Sequence, residues 1–198
     1  SFDEYTAEMV KRLAYRTGIA AVIAKGFTPT EAGGWRINVN RPTEKTFPSE
    51  GLELHSQRAK QVYRAFEDLV LKASNGNLQV YIDIHQYNTG NKIQVATVGI
   101  SREEARIIKM LYDEIRDKML AHQSNVPAVE LLIEPLNEVE IGAWAAKSEG
   151  ILELAKKSLH FELPSHKVFI TGEAREAYTG ILADLLKEIV SFLVTRSR

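Results

Sequence analysis

The stretch Leu78-Gln-Val-Tyr-Ile-Asp-Ile-His85 decides the fold of this chain. Residues 78–84 have the length and the apolar content of a strand that is buried in a sheet. They follow a segment with helical periodicity, residues 59–73, which Asn75-Gly76 ends. An amphipathic helix followed by a buried strand is typical of α/β domains, so we predict this fold class.

Helical and strand patterns alternate along the rest of the chain, without internal repeats or a linker that would divide it. We therefore predict one α/β domain over residues 1–198. Helical faces are predicted at residues 2–13, 59–73, 107–119 and 173–195, with a partly helical stretch at 144–151. Strands are predicted at residues 19–24, 35–39, 78–84, 92–98, 129–133 and 159–163. The segment 27–51 is rich in Gly, Pro, Thr and Asn, and we predict a long functional loop there.

Composition excludes several classes of function. The 198 residues, 44% of them hydrophobic, are enough for one sizeable core. The 25 basic and 26 acidic residues are interspersed, so we expect neither nucleic acid nor a membrane surface as partner. There is no cysteine, so His, Asp or Glu must hold any metal. Because the chain shows neither a membrane-spanning run nor a signal-peptide pattern, we predict a cytoplasmic location.

The strongest candidate for metal binding is His85. Asp83 and His85 are two residues apart on a predicted strand, so their side chains share a face, opposite to Ile82 and Ile84. Ligand crevices form at the carboxyl ends of strands in open α/β sheets, and a neutral imidazole there can bind zinc while a carboxylate orients it. The alternative is a hydrogen-bonded structural histidine.

The second polar strand carries the candidate for proton transfer. His160 and Glu162 repeat the spacing of Asp83 and His85, and Pro164 ends the strand. A carboxylate in a partly buried crevice tends to have a raised pKa, which suits it to take a proton from water and return it to a leaving amine. We therefore predict Glu162 as the catalytic residue, the alternative being a surface or paired glutamate. His160 could be a ligand, a donor or a core group, and the sequence assigns it no role.

Substrate binding is predicted in the loop, at Asn40-Arg41-Pro42. A guanidinium group binds a carboxylate through two parallel hydrogen bonds, so an arginine held in a rigid turn can orient an acidic substrate. Arg36 could assist. The alternative for both arginines is a solvated loop side chain.

Taken in order, these motifs resemble those of N-formylglutamate amidohydrolases and related zinc carboxypeptidases. Arg36-Ile-Asn-Val-Asn-Arg-Pro42 resembles their arginine loop, although that loop usually has Asp and Leu where this chain has Asn38 and Val39. Ile82-Asp-Ile-His85 resembles their later metal-binding strand, and Phe161-Glu-Leu-Pro164 resembles the strand with their catalytic glutamate.

The resemblance implies a phosphorylase/hydrolase-like fold, in which a mixed central sheet lies between helices in three layers. It also implies that His85 is a zinc ligand, that Asn40 and Arg41 bind the substrate carboxylate, and that Glu162 is the general base and acid. The family takes two further zinc ligands from an earlier segment, and nothing before Tyr5 can supply them. We therefore expect either that the amino-terminal first strand is missing from this chain or that the metal has been lost, and we favour the first.

The leading functional prediction is a zinc-dependent hydrolase of an amide bond next to a free carboxylate, acting through metal-activated water. Its substrate would be a small acidic N-acyl amino acid or a peptide carboxyl terminus. The alternative is a non-catalytic module that binds a carboxylate ligand on the same scaffold. Because the chain contains no G-x-S-x-G, G-x-G-x-x-G or P-loop motif, serine hydrolases and nucleotide-binding folds are disfavoured. With His85 as the one credible ligand, we expect weak zinc binding.

Overall fold

The computed structural model describes residues 6–27, 32–46, 52–87, 90–165, 168–169 and 171–195. Its helices are α1 (Thr6–Thr17), α2 (Gln57–Ala73), α3 (Arg102–Leu120), α4 (Trp144–Glu149) and α5 (Gly172–Thr195), with a short 3-10 helix at Ile151–Glu153. Its strands are β1 (Trp35–Ile37), β2 (Glu44–Thr46), β3 (Val80–Gln86), β4 (Ile93–Val98), β5 (Leu131–Ile133) and β6 (Lys157–Leu163).

The central sheet is mixed and has the strand order β3-β6-β4-β5. Strand β3 is parallel to β6, β6 is antiparallel to β4, and β4 is parallel to β5. Strands β1 and β2 form a separate antiparallel pair in the loop region. Strand β3 therefore lies at one edge of the central sheet, and both polar strands of the sequence, β3 and β6, lie side by side.

Helices cover both faces of this sheet. On one face, Ile82 of β3 and Phe161 of β6 pack with side chains of α1, α3 and α5 in the larger core. On the other face, Tyr81 packs with residues of α2, α4 and the 3-10 helix in a smaller core. The predicted α/β class, with a mixed central sheet between two helical layers, is thereby confirmed.

Local signals in the sequence place several helix ends correctly. The Ser101 hydroxyl accepts a hydrogen bond from the Glu104 N–H, and the Glu104 carboxylate accepts one from the Ser101 N–H, which is a complete capping box at the start of α3. The Ser56 hydroxyl caps α2 by accepting from the Ala59 N–H. None of the described helices combines the length and the apolar character that crossing a membrane requires.

One predicted strand is wrong. Residues 19–24 have no regular secondary structure, although their composition is apolar and β-branched. A strand needs a hydrogen-bonded neighbour, and these residues form no backbone ladder with any described part of the chain. The predicted helical positions Phe2 and Tyr5 lie outside the described residues.

Candidate functional site

The alternation of side chains along β3 and β6 creates a polar patch on one face of the sheet. Asp83 and His85 point to the face that α2 covers, and the parallel register places Asp83 beside His160 and His85 beside Glu162. Four polar side chains therefore form a compact square near the carboxyl ends of two neighbouring strands. Their neighbours in sequence point into the larger core, so this patch lies directly on the other side of the strands from that core.

The four side chains form one continuous series of short contacts. Asp83 Oδ2 lies 3.0 Å from His85 Nε2 and 3.0 Å from His160 Nδ1. The other ring nitrogen of His160, Nε2, lies 3.1 Å from Glu162 Oε1. The two imidazole rings are 4.6 Å apart at their centroids. One carboxylate oxygen thus holds both histidines, and a second carboxylate fixes the ring orientation of His160.

Charges and hydrogen bonds within the cluster favour its ionised form against the effect of burial. Burial alone would raise the pKa of Asp83, but the charges and hydrogen bonds of His85 and His160 hold it well below its usual range. Burial lowers the pKa of His160, yet its hydrogen bonds to Asp83 and Glu162 outweigh this effect and raise it. Both ring nitrogens of His160 face carboxylate oxygens, and only the imidazolium form can donate to both.

Asp83, His85 and His160 can together hold a metal ion. One donor atom from each lies within 4.8 Å of the others. Two imidazoles and one carboxylate are a ligand set of catalytic zinc sites, which leave a position open for substrate. Glu162 would then receive the Nε2–H of His160, as the carboxylate partners of metal-binding histidines do. The residues therefore fit a divalent metal, although nitrogen and oxygen donors also suit other first-row ions.

The sequence predicted only His85 of these three residues as a metal ligand. It assigned Asp83 to orient the imidazole and gave His160 no role, whereas the structure makes both of them candidate ligands. The usable signal was the shared spacing of Asp83-x-His85 and His160-x-Glu162, which predicts that the two side chains of each pair lie on the same face of their strand. What could not be read was the pairing of the two strands, because Asp83 and His160 are 77 residues apart. The structure therefore offers three candidate ligands where the sequence indicated one.

A cleft of about 1100 Å³ opens over this cluster. Besides the four cluster residues, it is lined by the predicted substrate-binding residues Arg36, Asn40 and Arg41. The loop is held in place because the Asn40 carbonyl accepts a hydrogen bond from the Ile151 N–H at 2.9 Å. A Cβ at Gly150 would lie 2.3 Å from that carbonyl oxygen, so this close approach needs glycine.

The two arginines of the loop differ in their contacts. The Nε of Arg41 donates to Glu53 Oε2 at 2.8 Å, and its terminal nitrogen donates to Oε1 of the same carboxylate. The hydrogen bonds from Arg41 lower the pKa of Glu53 to about 2 against the effect of burial, with further help from Thr43. Arg36 has no ion-pair partner among the described residues. Arg41 must therefore leave Glu53 before its guanidinium can bind another carboxylate in the same way, whereas Arg36 needs no such exchange.

Of the remaining histidines, none joins the cluster within the described residues. His55 is half-exposed and contacts Glu149 at 3.3 Å, just before the start of α2. His122 is exposed after the end of α3. His166 lies outside the described residues.

Comparison with known proteins adds little to this geometry. No protein-family model matches the chain, and no curated protein matches it either. A crystal structure of a candidate metallopeptidase from Shewanella denitrificans OS217 aligns with 79% of this chain at 12% sequence identity and a TM-score of 0.37. The aligned part covers 52% of that protein, so the chain spans about half its length. The resemblance to N-formylglutamate amidohydrolases therefore stays a prediction, and function must be argued from the site.

Proposed function

We propose that this protein is a metal-dependent hydrolase that cleaves an amide bond next to a free carboxylate, with zinc as the metal. The observation that carries the proposal is the cluster of Asp83, His85 and His160 beside Glu162, in one cleft with two arginines. The substrate would be an N-acyl amino acid or a peptide carboxyl terminus. The membership of a zinc amidohydrolase or carboxypeptidase family is part of the same proposal.

Each member of the cluster has a separate task. Asp83, His85 and His160 would hold the metal, which supplies Lewis acidity toward the amide carbonyl and makes water a better nucleophile near neutral pH. His85 is the most exposed of the three, with 23% of its side chain accessible, so it marks the side that faces substrate. Because Asp83 contacts both histidines through one oxygen, it sets their relative position.

Glu162 would move the proton in this reaction. Its Oε1 contacts His160, while its Oε2 has no hydrogen-bond partner among the described residues and the side chain lines the cleft. That free oxygen can accept a proton from water and pass it to the nitrogen of the leaving amine. The contact with His160 also allows a different role, in which Glu162 only orients that ring.

Two residues of the loop would recognise the substrate carboxylate. Arg36 is the available cation, and Arg41 would join it by exchanging Glu53 for the substrate. Asn40 lines the same part of the cleft and contacts Arg41 through its side-chain oxygen at 3.3 Å. A neutral amide in place of the carboxylate would lose these charge-assisted bonds, so acids should be preferred over their amides.

The test is hydrolysis of N-acyl amino acids and short peptides, with zinc added or removed by a chelator. Glu162→Gln should lower turnover at saturating zinc by ~10²-fold, since the amide cannot accept a proton. Glu138→Gln, an exposed glutamate outside the cleft, is the matched control and should have no effect. If Glu162 only orients His160, zinc affinity falls instead. If no metal supports turnover but acids still bind, the protein is a carboxylate-binding module.

A further inference from the structure

The outer edge of β3 is an unpaired strand edge within the described part of the chain. Strand β3 pairs with β6 on one side, and no described strand pairs with its other side. The Tyr87 N–H donates to the Leu163 carbonyl, so Tyr87 points its backbone groups toward β6. Backbone groups alternate along a strand, so Asp83 and His85 also point toward β6, whereas Ile82 and Ile84 point away from it.

The cleft runs along this edge rather than over one face of the sheet. Every residue from 77 to 85 lines it, including side chains from both faces of β3. Residues 19–27 also line it continuously, and residues 20–25 make no backbone–backbone hydrogen bond with the described residues. Two stretches of backbone with hydrogen-bonding groups to offer therefore line this cleft, which we call the slot.

The other two walls of the slot are apolar. Leu13 of α1 and Val190 of α5 line it on the side of the larger core, and Phe66 and Val70 of α2 line it on the other side. Buried backbone donors and acceptors are nearly always paired, so a slot with apolar walls and unpaired edges suits another extended chain. A single free strand edge pairs with one added strand, so one extended segment is the occupant that fits this part of the described structure.

The size of the slot also exceeds the need of a single amino acid derivative. Its volume of about 1100 Å³ lies above the ~300 to 1000 Å³ that is usual for small-ligand pockets. The stretch from Val80 to Ile84 spans about 13 Å at the usual rise of a strand, which matches a peptide of about five residues. At the end of this stretch lies His85, and the same cleft is also lined by the cation Arg36, which complements a carboxylate terminus.

We propose that the substrate is a peptide, bound as an added strand along β3, parallel to it, with its carboxyl terminus at the metal cluster. This inference rests on the proposed function for the chemistry at the cluster, but the strand site itself does not require the metal. The peptide would pair with the outward backbone groups of Ile82 and Ile84, and its alternate side chains would contact the two apolar walls.

Amide hydrogen exchange in metal-free protein tests the pairing directly. The probe is the peptide acetyl-Val-Ala-Val-Ala-Val-Ala with a free carboxylate, added in the presence of a chelator. Exchange at the N–H groups of Ile82 and Ile84 should slow by roughly tenfold or more, because they gain partners. The N–H groups of Asp83 and His85 already face β6 and should not change. Uniform slowing along β3, or none, overturns the proposal.

Backbone esters in the peptide test the same pairing from the other partner. Replacing two alternate amides removes two N–H donors without adding bulk. The peptide whose two esters face β3 should bind roughly tenfold more weakly than the parent peptide. A third peptide, with a single ester outside the paired stretch, should bind within twofold of the parent. Fluorescence anisotropy of the labelled peptide measures both affinities. Equal affinities for all three peptides would contradict strand addition.

A change within the slot supplies the matched protein variant. Ala21 is exposed and lines the slot, so Ala21→Trp should fill it and weaken peptide binding at least tenfold. Ala121→Trp, at an exposed position after α3 and outside the slot, is the control. Equal binding by the two variants would overturn the assignment of the slot. So would exchange protection at Ile82 and Ile84 without peptide, which would show that the chain itself occupies the slot.

The outcomes separate this inference from the proposed function. Metal-dependent hydrolysis without protection of Ile82 and Ile84 would leave the hydrolase standing and remove the strand site. Protection of these two N–H groups without hydrolysis under any divalent metal would remove the hydrolase and leave the strand site standing, as a peptide-binding groove.

Discussion

The two faces of β3 and β6 are built from alternate residues of the same strands, yet they do different work. One face, with Ile82 and Phe161, is apolar and packs against three helices. The other, one residue along, holds Asp83 and His160 in a series of charged hydrogen bonds. Packing of the apolar face holds the backbone of both strands, and the backbone in turn fixes where the polar side chains lie. Ordering the polar cluster therefore adds little to the entropic cost of folding, because the opposite face has already fixed its backbone.

The largest effect should follow from a change on the apolar face. Phe161 is 1% exposed, and Phe161→Ala should lower the free energy of unfolding by about 3 to 5 kcal/mol, because it leaves a cavity in the larger core. Urea denaturation measures this loss. Glu162→Gln, the next residue on the opposite face, is the comparison and should lower this free energy less, by about 1 to 2 kcal/mol, because the amide oxygen can still accept from His160. Similar losses for the two variants would remove the distinction between the faces.

The next effect concerns metal affinity on the polar face. Asp83→Asn removes the charge that holds both histidines. Loss of a group that supports a metal ligand typically lowers metal affinity by ~10 to 100-fold, and loss of Asp83 should lower zinc affinity by at least as much. Competition with a chromogenic chelator measures the affinity. Asp113→Asn on α3 changes an aspartate that pairs with Lys109 and Arg116 far from the cleft, and zinc affinity should not respond to it. Unchanged zinc binding by the Asp83 variant would place the metal elsewhere.

The ion pair of Glu53 with Arg41, a residue that lines the cleft, should make stability depend on pH. The folded pKa of Glu53, about 2, lies below its ordinary value of 4.5, so the folded state binds its proton less readily than the unfolded state. The stabilisation is complete above pH 4.5 and is lost as the pH falls toward 2. With Glu53 29% exposed, solvent screening reduces the contribution to about 1 to 2 kcal/mol.

Unfolding free energies measured between pH 5 and pH 2.5 check this contribution. Glu53→Gln should lose most of the pH dependence that this pair adds, while Glu138→Gln, which changes an exposed glutamate outside the cleft, should keep it. A Glu53 variant with the full acid sensitivity of the parent would show that other carboxylates dominate. It would also mean that Arg41 is more available to substrate than its contacts with Glu53 indicate.

How much of this could be predicted from sequence depends on whether a feature is local. The spacing of Asp83 and His85, and of His160 and Glu162, fixes which side chains share a face, because alternation is a property of each strand alone. The capping box at Ser101 is local in the same way. The contact of Asp83 with His160 requires the register between two strands that are distant in sequence. The wrong strand at residues 19–24 has the same origin, since propensity cannot supply a neighbouring strand.

The pairing of Arg41 with Glu53 escaped the sequence for a related reason. Glu53 is 12 residues from Arg41 in a loop region with no periodicity, so no pattern indicates which carboxylate the arginine meets. The glycine at position 150 likewise gives no signal by itself. Its requirement appears only when the Asn40 carbonyl is seen to approach it.

The smallest expected effect concerns a residue of the polar face that lies apart from the cluster. Ser158 lies on the same face as His160 but at the start of β6, where its hydroxyl donates to the Leu152 carbonyl at 2.8 Å. Ser158→Ala should lower the free energy of unfolding by about 1 kcal/mol, the net value of one buried hydrogen bond, and leave zinc affinity unchanged.

Urea denaturation and the chelator competition used for Asp83 measure both quantities on one protein. If zinc affinity falls with Ser158→Ala, the polar residues of β6 act as one unit, and a disturbance near Leu152 reaches the cluster through the strand. If only stability falls, the start of β6 has a structural role. Metal chemistry is then confined to the cluster near the carboxyl ends of β3 and β6. We expect the second result, because the Ser158 hydroxyl donates to the 3-10 helix, at Leu152, and not to Asp83, His160 or Glu162.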